Sequence, residues 1–127
     1  MTETLDYFRV SSLNLGKHCV LNTRPETTVK LLFHAAEHFS DRIFIEETDA
    51  SLSFADVKRH CLRIAAGLRA DGFEPGDRAA IWAPDLSEWV IAAFGIHCAG
   101  GQLVTLNTRY KGEEAAAILN DSGANTL

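Results

Sequence analysis

Nowhere in these 127 residues do two cysteines fall in a C-x-x-C pair. The three cysteines, Cys19, Cys61 and Cys98, stand far apart and are odd in number. That excludes a zinc knuckle and a thioredoxin-type redox motif. Reduced thiols in a cytoplasmic protein are the expectation. Basic clusters are also missing. Lysine and arginine total 12 against 17 acidic residues, a net charge of −5. Their scatter excludes a nucleic-acid platform and a polybasic membrane anchor. Long apolar runs are absent too. The longest, Trp89–Ala99, is too short to span a bilayer and is interrupted by His97. MTETLDYFRV at the start has no basic region followed by an apolar run, so no signal peptide is expected.

What remains is ordinary globular composition, 46% hydrophobic and 23% charged. A chain of this length buries a core without staples. Residues 1–26 show no sustained periodicity and read as an irregular leader. Residues 27–39 follow as a helix capped by Thr27 or Thr28, with Val29, Leu32, Phe33, Ala36 and Phe39 in one apolar stripe. IFIEE (43–47) and SLSF (51–54) form a short hairpin around Thr48-Asp49-Ala50. Ser53 and Asp56 make a capping pattern for a helix that buries Val57, Cys61, Ile64, Ala65 and Leu68 and stops at Gly72.

RAAIWA (78–83) has little polar alternation after Arg78, as befits a strand covered on both faces. Pro84 ends it, and Asp85 with Glu88 resembles a cap pair for a helix running to about Ala99. That helix is apolar nearly all round and should be deeply buried. QLVTL (102–106) is another strand, Gly112–Asn120 a helix capped by Gly123, and ANTL the beginning of a further strand. The fold class expected is α/β: a βαβαβ parallel-sheet segment preceded by a helix and a short β-hairpin. A parallel strand of three or four residues makes a poor edge. Either the polypeptide is part of a longer one or a partner completes its sheet.

Four features carry possible chemistry. His34-Ala35-Ala36-Glu37-His38 spells H-x-x-E-H, the local signature of inverzincin metallopeptidases. At 100° per residue both imidazoles share a face, but one pointing away from the apolar stripe toward solvent. A catalytic zinc needs a third protein ligand and a shaped cleft; Glu113 or Glu114 could supply a distant carboxylate. Gly95 and Gly100-Gly101 lie within and after a helix, without the lysine of a phosphate loop, so they read as packing and turn residues. His97 and Cys98 are neighbours in sequence but point in different directions on a helix, so both read as packing residues, as does Cys61. Asn107-Thr108-Arg109-Tyr110 directly follows the C-terminal end of a parallel strand, where open α/β sheets bind ligands. Arg109 suits a phosphate or carboxylate there, and Tyr110 suits the wall of an apolar pocket; a plain surface loop is the competing reading.

From about Thr28 to the last residue, an ordered series of segments resembles the start of the AMP-forming acyl-CoA synthetase family, the adenylate-forming ligases. LLFHAAEHFSDRIFIEE resembles the opening helix and strand. Its His38-Phe39-Ser40-Asp41-Arg42 has one residue more than the family's His-Pro-Asp-Arg and lacks the proline. Then come Leu52-Ser53-Phe54, Gly72 with Pro75-Gly76-Asp77-Arg78, Pro84, Ala99-Gly100, Leu106-Asn107 and Asp121-Ser122-Gly123-Ala124. Thr105 stands where a proline is usual. AIWAPDLSEWVIAAFGIHCAGG and LNTRY are most similar to actinobacterial ligases, including those for fatty acids or steroid-derived acids.

The resemblance implies an ATP-dependent carboxylic acid–CoA ligase acting through an acyl-adenylate, with ATP, Mg and coenzyme A as the parent protein's cofactors and a small-molecule carboxylic acid as its substrate. The family's Ser/Thr/Gly-rich phosphate loop, adenine-binding aromatic motif, ribose-binding aspartate and C-terminal lysine lie later in such proteins. None occurs in these residues. Residues 27–127 are then the incomplete first portion of the AMP-binding N-terminal domain. They carry no catalytic, cofactor-binding or metal residue, and Arg109 and Tyr110 are the substrate-binding candidates. The isolated chain should be inactive. Its partner is the remainder of the ligase chain, with self-association through an exposed core face expected without it. The rival readings are a standalone non-catalytic binding or regulatory module and, third, a zinc hydrolase using His34 and His38.

Overall fold

The computed structural model describes residues 26–127; the leader up to Pro25, with Cys19, lies outside the described residues. Helix α1 (Thr28–His38) starts where the Thr27 hydroxyl accepts the Lys30 N–H at 3.1 Å. It buries Leu32 and Ala36 and half-buries Val29, Phe33 and Phe39, the expected stripe. Strands β1 (Ile43–Glu46) and β2 (Ser51–Ser53) pair antiparallel, with an irregular register between Ile43 and Ile45.

Helix α2 (Phe54–Ala70) opens on the predicted capping box. The Ser53 hydroxyl accepts the Asp56 N–H, and the Asp56 carboxylate accepts the Ser53 N–H at 3.1 Å and its O–H at 2.7 Å. These bonds, with the Arg59 guanidinium at 2.7 Å, hold the Asp56 carboxyl down to about 2. The helix ends at Asp71, with Gly72 following at φ +92°. Gly72 N–H bonds Arg69 O and Phe73 N–H bonds Leu68 O, the paired closure that a left-handed glycine permits.

Strand β3 (Arg78–Ile81) pairs in parallel with β4 (Gln102–Thr105), Ala79 opposite Leu103 and Ile81 opposite Thr105. Helix α3 (Ser87–Cys98) connects them. Helix α4 (Gly112–Ser122) returns the chain to the other side of β3, where Ala79 bridges Thr126 in parallel. Gly123 closes α4 in the left-handed conformation at φ +67°.

The layers follow from alternation along β3. Ala79 and Ile81 face Ala65, Ala93, Ile96 and Ala99 of α2 and α3, while Ala80 faces Leu106 and Ala115 on the α4 side. Both faces are covered, as the unbroken apolar run predicted. A second cluster, Leu32, Val57 and Cys61, ties α1 and the hairpin to α2 and α3. Among the described residues no helix is long and apolar enough to cross a membrane.

Four expectations are corrected. The Asp85–Glu88 cap pair does not form: the N-cap is Leu86, which makes no side-chain cap bond. The Glu47 carboxylate supplies the acceptors instead, taking the Ser87 N–H at 2.6 Å and its O–H at 3.1 Å. The strand expected to reach Ala83 stops at Ile81, because Pro84 and the turn it starts, with Leu86 N–H on Pro84 O, draw the chain off the ladder. Helix α4 runs two residues beyond Asn120, to the turn at Gly123. Helix α3 is only partly buried along its length, yet no residue from Trp89 to Ala99 is fully exposed.

Gly95 sets how closely α2 and α3 approach: an added Cβ would lie 2.5 Å from Ile64 Cγ2 and 2.7 Å from Ile64 Cβ. Gly67, on the outer face of α2, has nothing within 4 Å of that position. Urea unfolding should therefore separate two identical substitutions. Gly95→Ala is expected to lose about 1–2 kcal/mol, overpacking outweighing helix propensity, and Gly67→Ala to gain about 0.5–1 kcal/mol.

Candidate functional site

The C-terminal ends of β3 and β4 open onto a cleft of about 480 Å³. The chain leaving β3 contributes Ala83, Pro84 and Asp85, the first turn of α3 contributes Trp89, and the chain leaving β4 contributes Thr105 to Thr108 and Tyr110. Parallel strands put this opening at one end, because both chains turn away from the sheet there and leave a crevice between them. Among the described residues Asp85 is the one charged side chain in the lining. The remaining groups are two aromatic rings, hydroxyls, an amide and the apolar Ala83, Pro84 and Leu106. Among the described residues no histidine, cysteine or lysine lines the cleft, and the groups that do are suited to binding and orienting a ligand.

The loop 107–111 has a defined shape. Asn107 Oδ1 accepts the Arg109 N–H at 2.9 Å, the Asn107 carbonyl accepts the Tyr110 N–H at 3.0 Å, and the Glu114 carboxylate accepts the Lys111 N–H at 2.9 Å. Thr108 and Tyr110 consequently turn into the cleft, while Arg109 is exposed and outside its lining. Of the two sequence candidates, the fold brings Tyr110 to the cleft and leaves Arg109 on its rim. Asn107 and Thr108, of the same candidate loop, line the cleft as well, and the structure adds Asp85 and Trp89. The sequence signal for these two is their position just after a strand end, which a helix-cap reading of Asp85 and a core reading of Trp89 hide.

The H-x-x-E-H histidines do meet. Their ring centroids are 4.1 Å apart, and His38 Nδ1 bonds the His34 carbonyl at 2.9 Å. His38 is exposed, but His34 is half-buried, which corrects the expectation that both point into solvent. Leaning over the preceding turn is what long helical side chains do. Among the described residues no group of three histidine, cysteine or acidic side chains converges to hold a metal.

The other candidates are absorbed by packing. Gly100 makes the turn at φ +86° against Pro75, and a Cβ on Gly101 would meet the Phe73 ring at 2.5 Å. Burial pushes both core thiols up, Cys61 to about 12 with Cys98 adding to the rise. Neither is a poised nucleophile. The His97 ring bonds Gly101 O at 3.4 Å, not Cys98.

Residues 32–127 match the family model described as AMP-binding enzyme. The chain belongs to that family. It is 36% identical over 107 residues to a methyl-dioxo-octahydro-indenyl-propanoyl:CoA ligase of Rhodococcus jostii, and 52% identical over 107 residues to the ligase of the same description from Mycobacterium tuberculosis. Each alignment covers 84% of this chain and 21% or 20% of the relative, so the chain spans about a fifth of their length. Among solved structures it resembles the unliganded O-succinylbenzoate coenzyme A synthetase of Bacillus subtilis. There the TM-score is 0.71 and the identity 31%, over 73% of this chain and 20% of that one. These AMP-binding relatives are acyl-CoA ligases, and the α/β architecture is theirs.

For this AMP-binding family member the paired histidines should be neutral to function and fold. His38→Gln, in protein without a polyhistidine tag, is expected to change unfolding free energy by less than about 0.5 kcal/mol. Zn²⁺ titration followed by calorimetry should show no stoichiometric site that His38→Gln removes.

Proposed function

We propose that this chain is the opening portion of the N-terminal domain of an ATP-dependent carboxylic acid–CoA ligase that works through an acyl-adenylate. The observation that carries the reading is the family match across residues 32–127, joined to relatives named as CoA ligases. A carboxylate is a poor electrophile because its charge repels nucleophiles. In the proposed reaction its oxygen attacks the α-phosphorus of ATP and pyrophosphate leaves. Coenzyme A thiolate then attacks the acyl carbon and AMP leaves. The ligases of Rhodococcus jostii and Mycobacterium tuberculosis favour a bulky polycyclic or steroid-derived acid as the substrate class. ATP chemistry of this kind implies the cytoplasm.

The described residues do not themselves fit ATP and Mg²⁺. The glycines that would cradle phosphates are filled by Ile64, Phe73 and Pro75, and the cleft holds one acid and no cation. No step of the ligation is therefore assigned to them. Their contribution in this reading is a binding wall: Tyr110 on the cleft and Arg109 on its rim, positioned for the acid substrate. A neighbouring apolar groove, lined by Leu68, Ile81, Trp82 and Ile96 and ending at Thr126 and Leu127, is where the rest of the ligase chain would pack. In its absence copies of this chain would associate through the same surface.

Acid-dependent pyrophosphate release tests the proposal. A protein extending beyond Leu127 should release pyrophosphate only when the acid is added, and the 127-residue chain alone should release none. Release that is indifferent to the acid, or no release with any hydrophobic acid, would contradict it.

A further inference from the structure

One wall of the cleft is a loop that, among the described residues, a single side chain ties back to the β3 side of the sheet. Residues 107–111 bond among themselves and to Glu114 at the start of α4. The strand ladder stops just before them, at Leu106 N–H on Ile81 O. Among the described residues, and apart from Glu114 in the helix that the loop leads into, the one side chain outside the loop that bonds it is Trp82, whose indole Nε1–H donates to the Asn107 carbonyl at 3.0 Å. That carbonyl already accepts the Tyr110 N–H, so both of its lone pairs are used. Trp82 follows Ile81, the last residue of the strand beside β4, and so reaches across the end of the parallel pair.

We propose that Trp82 is a positioning residue: its indole bond to Asn107 holds the β4–α4 loop in the form that turns Tyr110 into the cleft. The bond closes the last turn of the sheet after the ladder has ended. It fixes the Asn107 carbonyl, and that carbonyl anchors the Tyr110 backbone. Trp82 itself is not part of the cleft lining. It is 39% exposed, and Trp82→Phe removes the N–H with the five-membered half of the indole while keeping one aromatic ring. The consequence for substrate binding rests on the ligase reading above; the tether itself does not.

The experiment has two arms. In the 127-residue chain, Trp82→Phe should speed amide hydrogen exchange at Arg109 and Tyr110 by about fivefold, the worth of one hydrogen bond, with Ala80 unchanged as the fold control. In the unmodified chain the Trp82 indole N–H should exchange at least about fivefold more slowly than a free indole. Unchanged loop exchange, or an unprotected indole, overturns the tether. In the longer ligase, Tyr110→Ala and Trp82→Phe should each raise KM for the acid by about fivefold with kcat within about twofold, and the double variant should match Tyr110→Ala alone. A raised KM for Tyr110→Ala with none for Trp82→Phe overturns the positioning role. No effect of Tyr110→Ala overturns the substrate-contact reading, while the exchange arm still decides the tether.

Discussion

The close approach of α3 to α2, set by Gly95 against Ile64, is the constraint on which the rest of this structure depends. With no side chain at Gly95, the two helices press together and present one joint surface. Ala65, Ala93, Ile96 and Ala99 on that surface are mostly small, so β3 settles directly against the helix pair. The hairpin and α1 pack on the same pair from another side, through Leu32, Val57 and Cys61. Three separate clusters of buried residues thus share one seam or the strand that lies on it. Each fully buried aliphatic side chain contributes about 1.5–3 kcal/mol, so a seam that organises several of them dominates stability.

The seam also decides where the cleft falls. It positions α3, and α3 determines how the chain re-enters the sheet as β4 beside β3 in parallel register. Two parallel strands leave at the same end, and their exits form the crevice at Asp85, Trp89 and Tyr110. The N-terminus of α3 is held from a distance, by Glu47 in the turn of the hairpin. That bond couples the hairpin to the rim of the crevice through a buried serine, Ser87.

Local signals were legible and long-range ones were not. The Ser53–Asp56 box, the Gly72 and Gly123 turns and the two-faced burial of β3 were all readable, because each is written within a few adjacent residues. The cap of α3 was misread for the same reason. Asp85 and Glu88 had the right local spacing, but the acceptor is Glu47, 40 residues earlier. The indole bond from Trp82 to Asn107 spans 25 residues and joins an apolar side chain to a carbonyl, a pairing no periodicity marks. The half-burial of His34 followed from the lean of helical side chains toward the N-terminus, which a wheel of Cα positions omits. As for the site, the loop after β4 was found from topology, while which of its residues enter the cleft was set by the Asn107 turn.

If the α2–α3 seam holds the sheet in place, the two should open as one unit. Native-state hydrogen exchange on the unmodified chain measures this most directly. It compares core amides of Cys61, Ala65 and Ile96 with the sheet amides of Ala80, bonded to Thr126 O at 2.8 Å, and Leu106, bonded to Ile81 O at 3.0 Å. The account predicts opening free energies for the two sets that agree within about 1 kcal/mol and fall together with denaturant. Sheet amides that remain protected while the helix seam exchanges would show that β3 and β4 stand without it, and would contradict the account.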